Sequence, residues 1–520
     1  MTMTSVVENV LSPSWVSLDT FQILQYAVVL GVVALLGKLM KLYFRRRELN
    51  KSFACFPGPP CHWLFGNAHK CRQDGTDLET LELWAKEFPY GFLVWLGNFF
   101  PIFIITHPDY AKTVFGRADP KAWTYNFLEP WIGQGLLLLS GQKWFQHRRL
   151  LTPAFHYDIL KPYMKLMSDS TNVMLDKWEK FDYQNKSVEL FQHVSLMTLD
   201  SIMKCAFSYN SNCQNEGDST YTKVILDLCS LVYLRFRRVL FQSDLIFHLS
   251  PQGFRFRKAC KLAHQHTDEV IKQRKAALAN ENELEKIQQK RHLDFLDILL
   301  CAKDDNGNGI SDKDLRAEVD TFMFEGQDTV ASGISWILYC MAKYPEHQEK
   351  CREEIREILG DRDTVEWDDL GKMNYTTMCI KESMRMYPPA PLVLRQLTKP
   401  ITFFDGRSLP AGSLVMLNIY AIHRSLSVWE DPEVFDPLRF SPENSSGRHC
   451  HAFVPFAAGV RNCIGQNFAM NEMKVATALT LQRFQVSPDE TRPPIKIPQV
   501  VLTSMNGIHL YLKKIKRTHQ

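Results

Sequence analysis

Residues 21–42 read FQILQYAVVLGVVALLGKLMKL, and no other stretch restricts its own conformation as strongly. A backbone placed in hydrocarbon must satisfy its N–H and C=O groups internally, so one isolated apolar segment of this kind is a helix. Its length at about 1.5 Å per residue comes to roughly 33 Å, enough to cross a bilayer core. Lys38 and Lys41 can extend their ammonium groups to the interface, and Trp15, Tyr43 and Phe44 flank the span where aromatic rings prefer to sit. Glu8 and Asp19 are the only charges before it, whereas Lys38, Lys41, Arg45, Arg46, Arg47 and Lys51 fall within or after its end. That asymmetry predicts a lumenal segment 1–20, a single transmembrane anchor 21–42 and a cytosolic remainder. A cleaved signal peptide would carry its basic residues ahead of the apolar run, which is the opposite order.

A basic, Pro-rich linker, 43–60, ends in Phe56-Pro57-Gly58-Pro59-Pro60, a stiff extended run expected to act as a hinge. No linker or internal repeat divides residues 61–520, so one large domain is expected there. Net charge is only +4 (61 basic against 57 acidic residues), which argues against a nucleic-acid partner. Thirteen scattered cysteines would leave at least one thiol outside any disulfide framework, in keeping with a reducing compartment. Most segments have helical period. Ser311-Asp312-Lys313-Asp314 has the form of a capping box, opening a helix that should run to about Lys343, ahead of Pro345. Short β-prone runs fall at 92–105, 401–417 and 500–512, and the charged run 280–292 reads as a solvated helix or loop. The expected class is mainly α with a small β-sheet region.

The most informative chemistry lies in residues 453–465, FVPFAAGVRNCIG. Phe456, Gly459, Arg461, Cys463 and Gly465 recur at a spacing that lets the backbone turn tightly against a planar ligand. Arg461 brings positive charge, and the apolar flank shields the sulfur, which suits a thiolate bound to a soft metal such as haem iron. A rival set, His449, Cys450, His451 and Cys463, offers zinc-type ligands but lacks the paired spacings of structural zinc sites. His264-x-His266-x-Asp268 is expected to face solvent, because i and i+2 point to different helix faces.

The loop around Cys463 resembles the haem-ligand loop of the cytochrome P450 superfamily, and further marks of that family follow in order. Glu382-Ser383-Met384-Arg385 resembles its Glu-x-x-Arg helix, and Arg439, within Phe435-Asp436-Pro437-Leu438-Arg439-Phe440, matches its partner arginine. Glu353 and Arg356 also fit Glu-x-x-Arg, and the later copy is chosen by context. Trp144-x-x-x-Arg148 resembles the early helix that meets a haem propionate, with Arg395 and Arg461 as further propionate candidates and Phe456 beside the cofactor. Residues 318–330, EVDTFMFEGQDTV, resemble the signature of cytochrome P450 family 4, and the chain is most similar to the 4B subfamily. Gln327 and Val330 depart from the signature's usual histidine and threonine.

The resemblance implies a cytochrome P450 fold and a haem b cofactor ligated by Cys463, with Asp328 and Thr329 in proton delivery and Glu325 open to an ester with a haem methyl. Glu382, Arg385 and Arg439 would be structural. It further implies a single-pass protein of the endoplasmic reticulum membrane that hydroxylates fatty acids at or near the ω carbon, and small apolar xenobiotics. Electrons would come from NADPH through a separate cytochrome P450 reductase, with cytochrome b5 as a second donor, because the chain has no G-x-G-x-x-G fingerprint of its own. Two alternatives are a reductase-independent haem-thiolate isomerase or dehydratase, which needs no Asp328-Thr329 pair, and a non-catalytic haem sensor. From the spacing alone, Glu325, Asp328 and Thr329 are expected on one helix face, with Gly326 making room for oxygen.

Overall fold

The computed structural model describes residues 20–515 except 64, 71, 73, 98–99, 183–185, 212, 216–219, 280–292 and 303–308. Residues 1–19 of the segment expected to be lumenal and the charged run 280–292 therefore lie outside the described residues. The chain divides into two units, Met1–Ala54 and Cys55–Gln520.

In the first unit a single helix, Thr20–Ser52, is long and apolar enough to cross a membrane. It continues past 42 through the basic residues, so most of the expected linker is helical. Lys, Arg, Glu and Leu are good helix formers, and no proline intervenes before Pro57.

The expected hinge, 56–60, belongs to the second unit and is packed. Phe56 lies 4.4 Å from the ring of Phe103, the Leu93 N–H donates to Pro57 O at 2.8 Å, and a Cβ on Gly58 would sit 2.4 Å from Leu93 O. The prolines run as a stiff flank along a sheet.

That sheet has four strands in the order Gly91–Leu96, Phe100–Ile105, Leu414–Asn418, Leu392–Gln396. The first two pair as an antiparallel hairpin. Phe100–Ile105 runs parallel to Leu414–Asn418 with Ile102 opposite Leu414, and Leu392–Gln396 closes the sheet antiparallel. A three-stranded sheet, Val188–Glu189, His509–Lys514 and Phe484–Pro488, and two short two-stranded pairs complete the β structure. Local patterning missed Leu392–Gln396, whose antiparallel partner Leu414–Asn418 is not joined to it by a tight hairpin turn but by a long connection that holds a separate two-stranded pair.

Helices make up most of the second unit. Asp312–Lys343 spans the core, buried nearly all round as an apolar 32-residue helix must be. It begins where expected: Ser311 Oγ accepts the Asp314 N–H at 3.1 Å, and the helix stops before Pro345. Leu190–Phe207 lies along it, close enough that a Cβ on Gly326 would meet the Ile202 side chain at 3.0 Å. Gly326 is thus a packing residue, and the room expected there for oxygen is taken up by Ile202. On another flank Gln466–Arg483 packs against the same helix, and a Cβ on Gly333 would lie 2.9 Å from Met473 Sδ.

Candidate active site

Residues 453–465 arrive at the amino end of Gln466–Arg483 through a tight double turn. The Cys463 N–H donates to Phe456 O at 2.9 Å, and the Asn462 N–H donates to Gly459 O at 3.2 Å. Gly459 has φ +72°, and a Cβ there would lie 1.9 Å from Phe115 O, so only glycine fits. Cys463 opens onto a cavity of ≈ 810 Å³ walled by Arg148, Phe155, Ile159, Ile298 and Asn462. Burial, with the charge of Glu325, pushes its thiol up to about 11, while the Gly465 N–H, Arg148 and Lys121 pull the other way. Such a sulfur becomes an anion at neutral pH only against a strong local positive charge, which a bound metal supplies.

Around this sulfur the fold gathers cations from four separate stretches. Arg148, on the helix Gly141–Leu151, donates from Nη1 to Asn462 O at 2.8 Å and from Nη2 to Asn462 Oδ1 at 2.9 Å. Arg461 donates to Leu139 O at 2.8 Å and stacks its guanidinium 4.6 Å over the buried Trp144 ring. Arg395, buried on Leu392–Gln396, pairs across a β-bridge with Lys121. Burial, then Arg395 and Arg148, bring Arg461 down to about 10, and burial followed by Arg395 and Arg461 depresses Lys121. Glu325 is the carboxylate within reach of this field: burial raises it, and Lys121 opposes the rise. Among the described residues none of these four cations has an ion-pair partner, an arrangement that costs free energy unless an anionic group binds between them. A planar cofactor with two carboxylates and a thiolate-bound metal fits that donor set.

On the long helix the three expected residues do not share one face. Glu325 and Thr329 are half-buried, and Thr329 Oγ1 donates to Glu325 O at 2.7 Å. Asp328 is buried and turned away, its Oδ2 accepting from Cys229 Sγ at 3.7 Å while Oδ1 has no partner. At about 100° per residue, positions i+3 and i+4 fall on opposite sides of i, which separates Asp328 from Thr329. Burial holds the Asp328 carboxyl up at about 7. Gln327 is buried too, with Oε1 unpartnered and its carbonyl accepting from Thr198 Oγ1 at 3.1 Å.

Glu382 and Arg385 are fully buried and joined twice, Nε to Oε2 at 2.7 Å and Nη2 to Oε1 at 2.8 Å, whereas Glu353 and Arg356 are exposed. Arg439 Nε approaches Glu382 Oε1 at 3.5 Å, and the Asp436 N–H donates to the same oxygen at 2.9 Å. Sequence reasoning missed the next link, His423. Arg385 Nη1 donates to His423 O at 3.0 Å, and the Val454 N–H donates to His423 Nε2 at 2.9 Å. Since Nε2 accepts, Nδ1 must carry the proton it offers to Arg385 O at 3.3 Å. Burial, reinforced by Arg385 and Arg424, lowers His423 to about 3, so the ring is neutral and ties the ion pair to the start of the Cys463 loop.

His449, Cys450 and His451 do come within 4.8 Å of one another, but Cys463 is not in that group, so the four-ligand zinc set is not assembled. His264 and His266, expected to face solvent, are half-buried: His264 Nε2 lies 2.6 Å from Trp131 O, and the His266 ring lies 4.5 Å from that of Tyr221. Asp268 is exposed and pairs with Arg316. The helix that carries them turns its first histidine toward buried Asp320, which lies 3.8 Å away.

A large mainly helical body with small sheets, a cysteine loop leading into a helix, and a buried Glu–Arg pair braced to that loop describe a haem-thiolate oxygenase. Residues 56–511 match the family model "Cytochrome P450", and the chain belongs to that family. It is 57% identical over 511 residues to cytochrome P450 4B1 of Rattus norvegicus, covering 98% of this chain and 99% of that protein. Cytochrome P450 4B1 of Homo sapiens is 56% identical, covering 97% and 98%, and human cytochrome P450 4A11 is 56% identical, covering 98% of each chain. The protein is accordingly a family-4 cytochrome P450 monooxygenase with a haem cofactor, a redox partner and one apolar amino-terminal helix fit to anchor it in a membrane.

Proposed function

We propose that this enzyme hydroxylates fatty acids at or next to the terminal carbon, and small apolar xenobiotics, from the cytosolic face of the endoplasmic reticulum membrane. Cys463 holds haem b through its thiolate. Trp144, Arg148, Arg395 and Arg461 take the two propionates, Phe456 closes the loop beside the cofactor, and Glu325 is placed to form an ester with a haem methyl. Glu382, Arg385 and Arg439 brace the loop from behind. The observation that carries this reading is that Arg148 and Lys121 act on the Cys463 thiol and the Glu325 carboxylate, with Arg395 and Arg461 beside Lys121 and, among the described residues, no ion-pair partner for any of the four.

Thiolate-held haem supplies the activation of dioxygen needed to attack an unactivated C–H bond. The chain's own residues do the rest. Asp328, held near 7, keeps a proton available at neutral pH. Thr329 has committed its own proton to Glu325 O, so its hydroxyl oxygen remains free to accept from a water. A terminal methyl is intrinsically less reactive than its neighbour, so ω selectivity comes from positioning, which a tether at Glu325 would tighten. Electrons arrive from NADPH through cytochrome P450 reductase, with cytochrome b5 as a second donor.

The test is a reduced, CO-bound spectrum, then turnover of a fatty-acid panel with reductase supplied. Wild type should show the thiolate-ligated band and ω products, and Cys463→Ala should lose both. An unchanged band in Cys463→Ala refutes the assignment. Glu325→Ala should release all haem under acid extraction, and haem still bound covalently in that variant removes Glu325 from the scheme.

A further inference from the structure

Away from the thiol a second, narrow cleft of ≈ 80 Å³ opens between the four-stranded sheet and the carboxyl end of the helix Thr220–Arg237. Its walls are apolar: Leu81, Val94, Ile104, Leu392, Met416 and Phe236. Two charged groups interrupt them, Arg237 and Asp77, with Arg237 Nη1 3.4 Å from Asp77 Oδ2. This is long for a charge-assisted hydrogen bond, which settles at about 2.7–2.9 Å. Asp77 Oδ1 has no partner, and burial pushes that carboxyl up to about 6 despite the pull of Arg237. The guanidinium keeps donors to spare and is 17% accessible.

Its neighbour Arg235 shows the contrast. That side chain is fully engaged, donating to Phe241 O and Asp244 and lying between the rings of Phe127 and Phe247. Arg235 fixes the end of the helix, whereas Arg237, with its guanidinium 5.5 Å from the ring of Tyr233 in the cleft wall, is the cation left over the cleft.

We propose that Arg237 receives the carboxylate of the fatty-acid substrate, exchanging its loose contact with Asp77 for a bidentate one. This rests on the fatty-acid reading above and deepens it. A volume of this size admits a carboxyl group and a few methylenes, not a whole ligand, since one water already occupies about 30 Å³ of liquid. Leu392, in the wall, lies three residues before Arg395 on one strand, about 10 Å along it. The strand thus leads from the cleft to a cation of the Cys463 field. A carboxylate fixed at Arg237 leaves the far end of the alkyl chain to reach the reactive centre, the geometry that terminal hydroxylation requires.

The experiment uses the full-length haem-loaded enzyme with reductase, and compares laurate with 1-dodecanol, which has the same chain length and no charge. Arg237→Gln should raise the laurate KM about tenfold, the loss of one charge-assisted contact, with little change in kcat or in the KM for dodecanol. Asp77→Asn should lower the laurate KM severalfold, because it removes the internal competitor. A normal CO-bound band certifies the fold of each variant, and if Arg237→Gln fails that check, Asp77→Asn decides alone. Unchanged laurate KM in the properly folded variants, or equal rises for laurate and dodecanol, overturns the assignment of Arg237. A wild-type enzyme inert toward every fatty acid overturns the substrate reading instead.

Discussion

His423 joins the buried Glu382–Arg385 pair to the loop that carries Cys463, and that link should make the fold sensitive to acid in a defined window. The ring is lowered to about 3 from its ordinary 6.5, so between those values the unfolded chain binds a proton that the folded chain refuses. Stability from this group is complete above pH 6.5 and drains away as the pH falls toward 3. Each pH unit below 6.5 removes about 1.4 kcal/mol, or roughly 2 kcal/mol by pH 5. His423→Phe keeps the ring stacked on Phe453, whose centroid is 5.2 Å away, but leaves the Val454 N–H and Arg385 C=O without partners. Two orphaned buried groups cost about 3 kcal/mol together, so the variant should be weaker by that amount at pH 7. It has no imidazole to protonate, and the gap should narrow to about 1 kcal/mol at pH 5. Urea unfolding of the haem-loaded protein, followed by loss of the CO-bound band and taken at half-unit intervals, measures the gap directly. A gap that stays constant from pH 7 to pH 5 would refute the neutral, bridging histidine.

Glu382→Gln strands the Arg385 guanidinium in a fully buried site and should cost 3–5 kcal/mol, seen as failure to retain haem at 37 °C; full retention contradicts the bracing role. Gly459→Ala should abolish haem incorporation, because its Cβ would overlap Phe115 O, whereas Gly412→Ala, at φ +81° with nothing within 4 Å, should cost only about 1 kcal/mol of thermal stability. Equal melting temperatures for the two would show that close approach is not what selects glycine at 459. Asp328 holds its proton below about pH 7, so the wild-type rate should fall as pH rises through that value, and Asp328→Asn should flatten the limb along with lowering kcat. A limb that persists unchanged in Asp328→Asn assigns it to another group.

Whatever depends on near neighbours in the chain could be read from the sequence. The apolar run before Lys38 dictates a helix because hydrocarbon offers the backbone no other partner. Ser311 and Pro345 bracket the long helix through contacts a few residues away, and Gly459 was legible as a turn residue, although the close approach of Phe115 O that also demands glycine there was not. Tertiary structure decided matters that depend on which surfaces meet. Gly326 resembled a cavity residue and proved to be the seat of Ile202. Helix geometry alone sets Asp328 apart from Thr329, and the fold decides what Asp328 meets there, the Cys229 thiol. Lys121 and His423 carried no signal in their own neighbourhoods: Lys121 is brought to the thiol by a bridge to a strand almost three hundred residues later, and His423 is wedged between Arg385 and Val454. Arg235 and Arg237 are two residues apart on one helix, yet one is consumed by its neighbours and the other left over a cleft. Charge and hydrogen bonding act through space over a few ångströms, so the same side chain becomes a brace, a binding group or a surface cation according to what the fold sets against it.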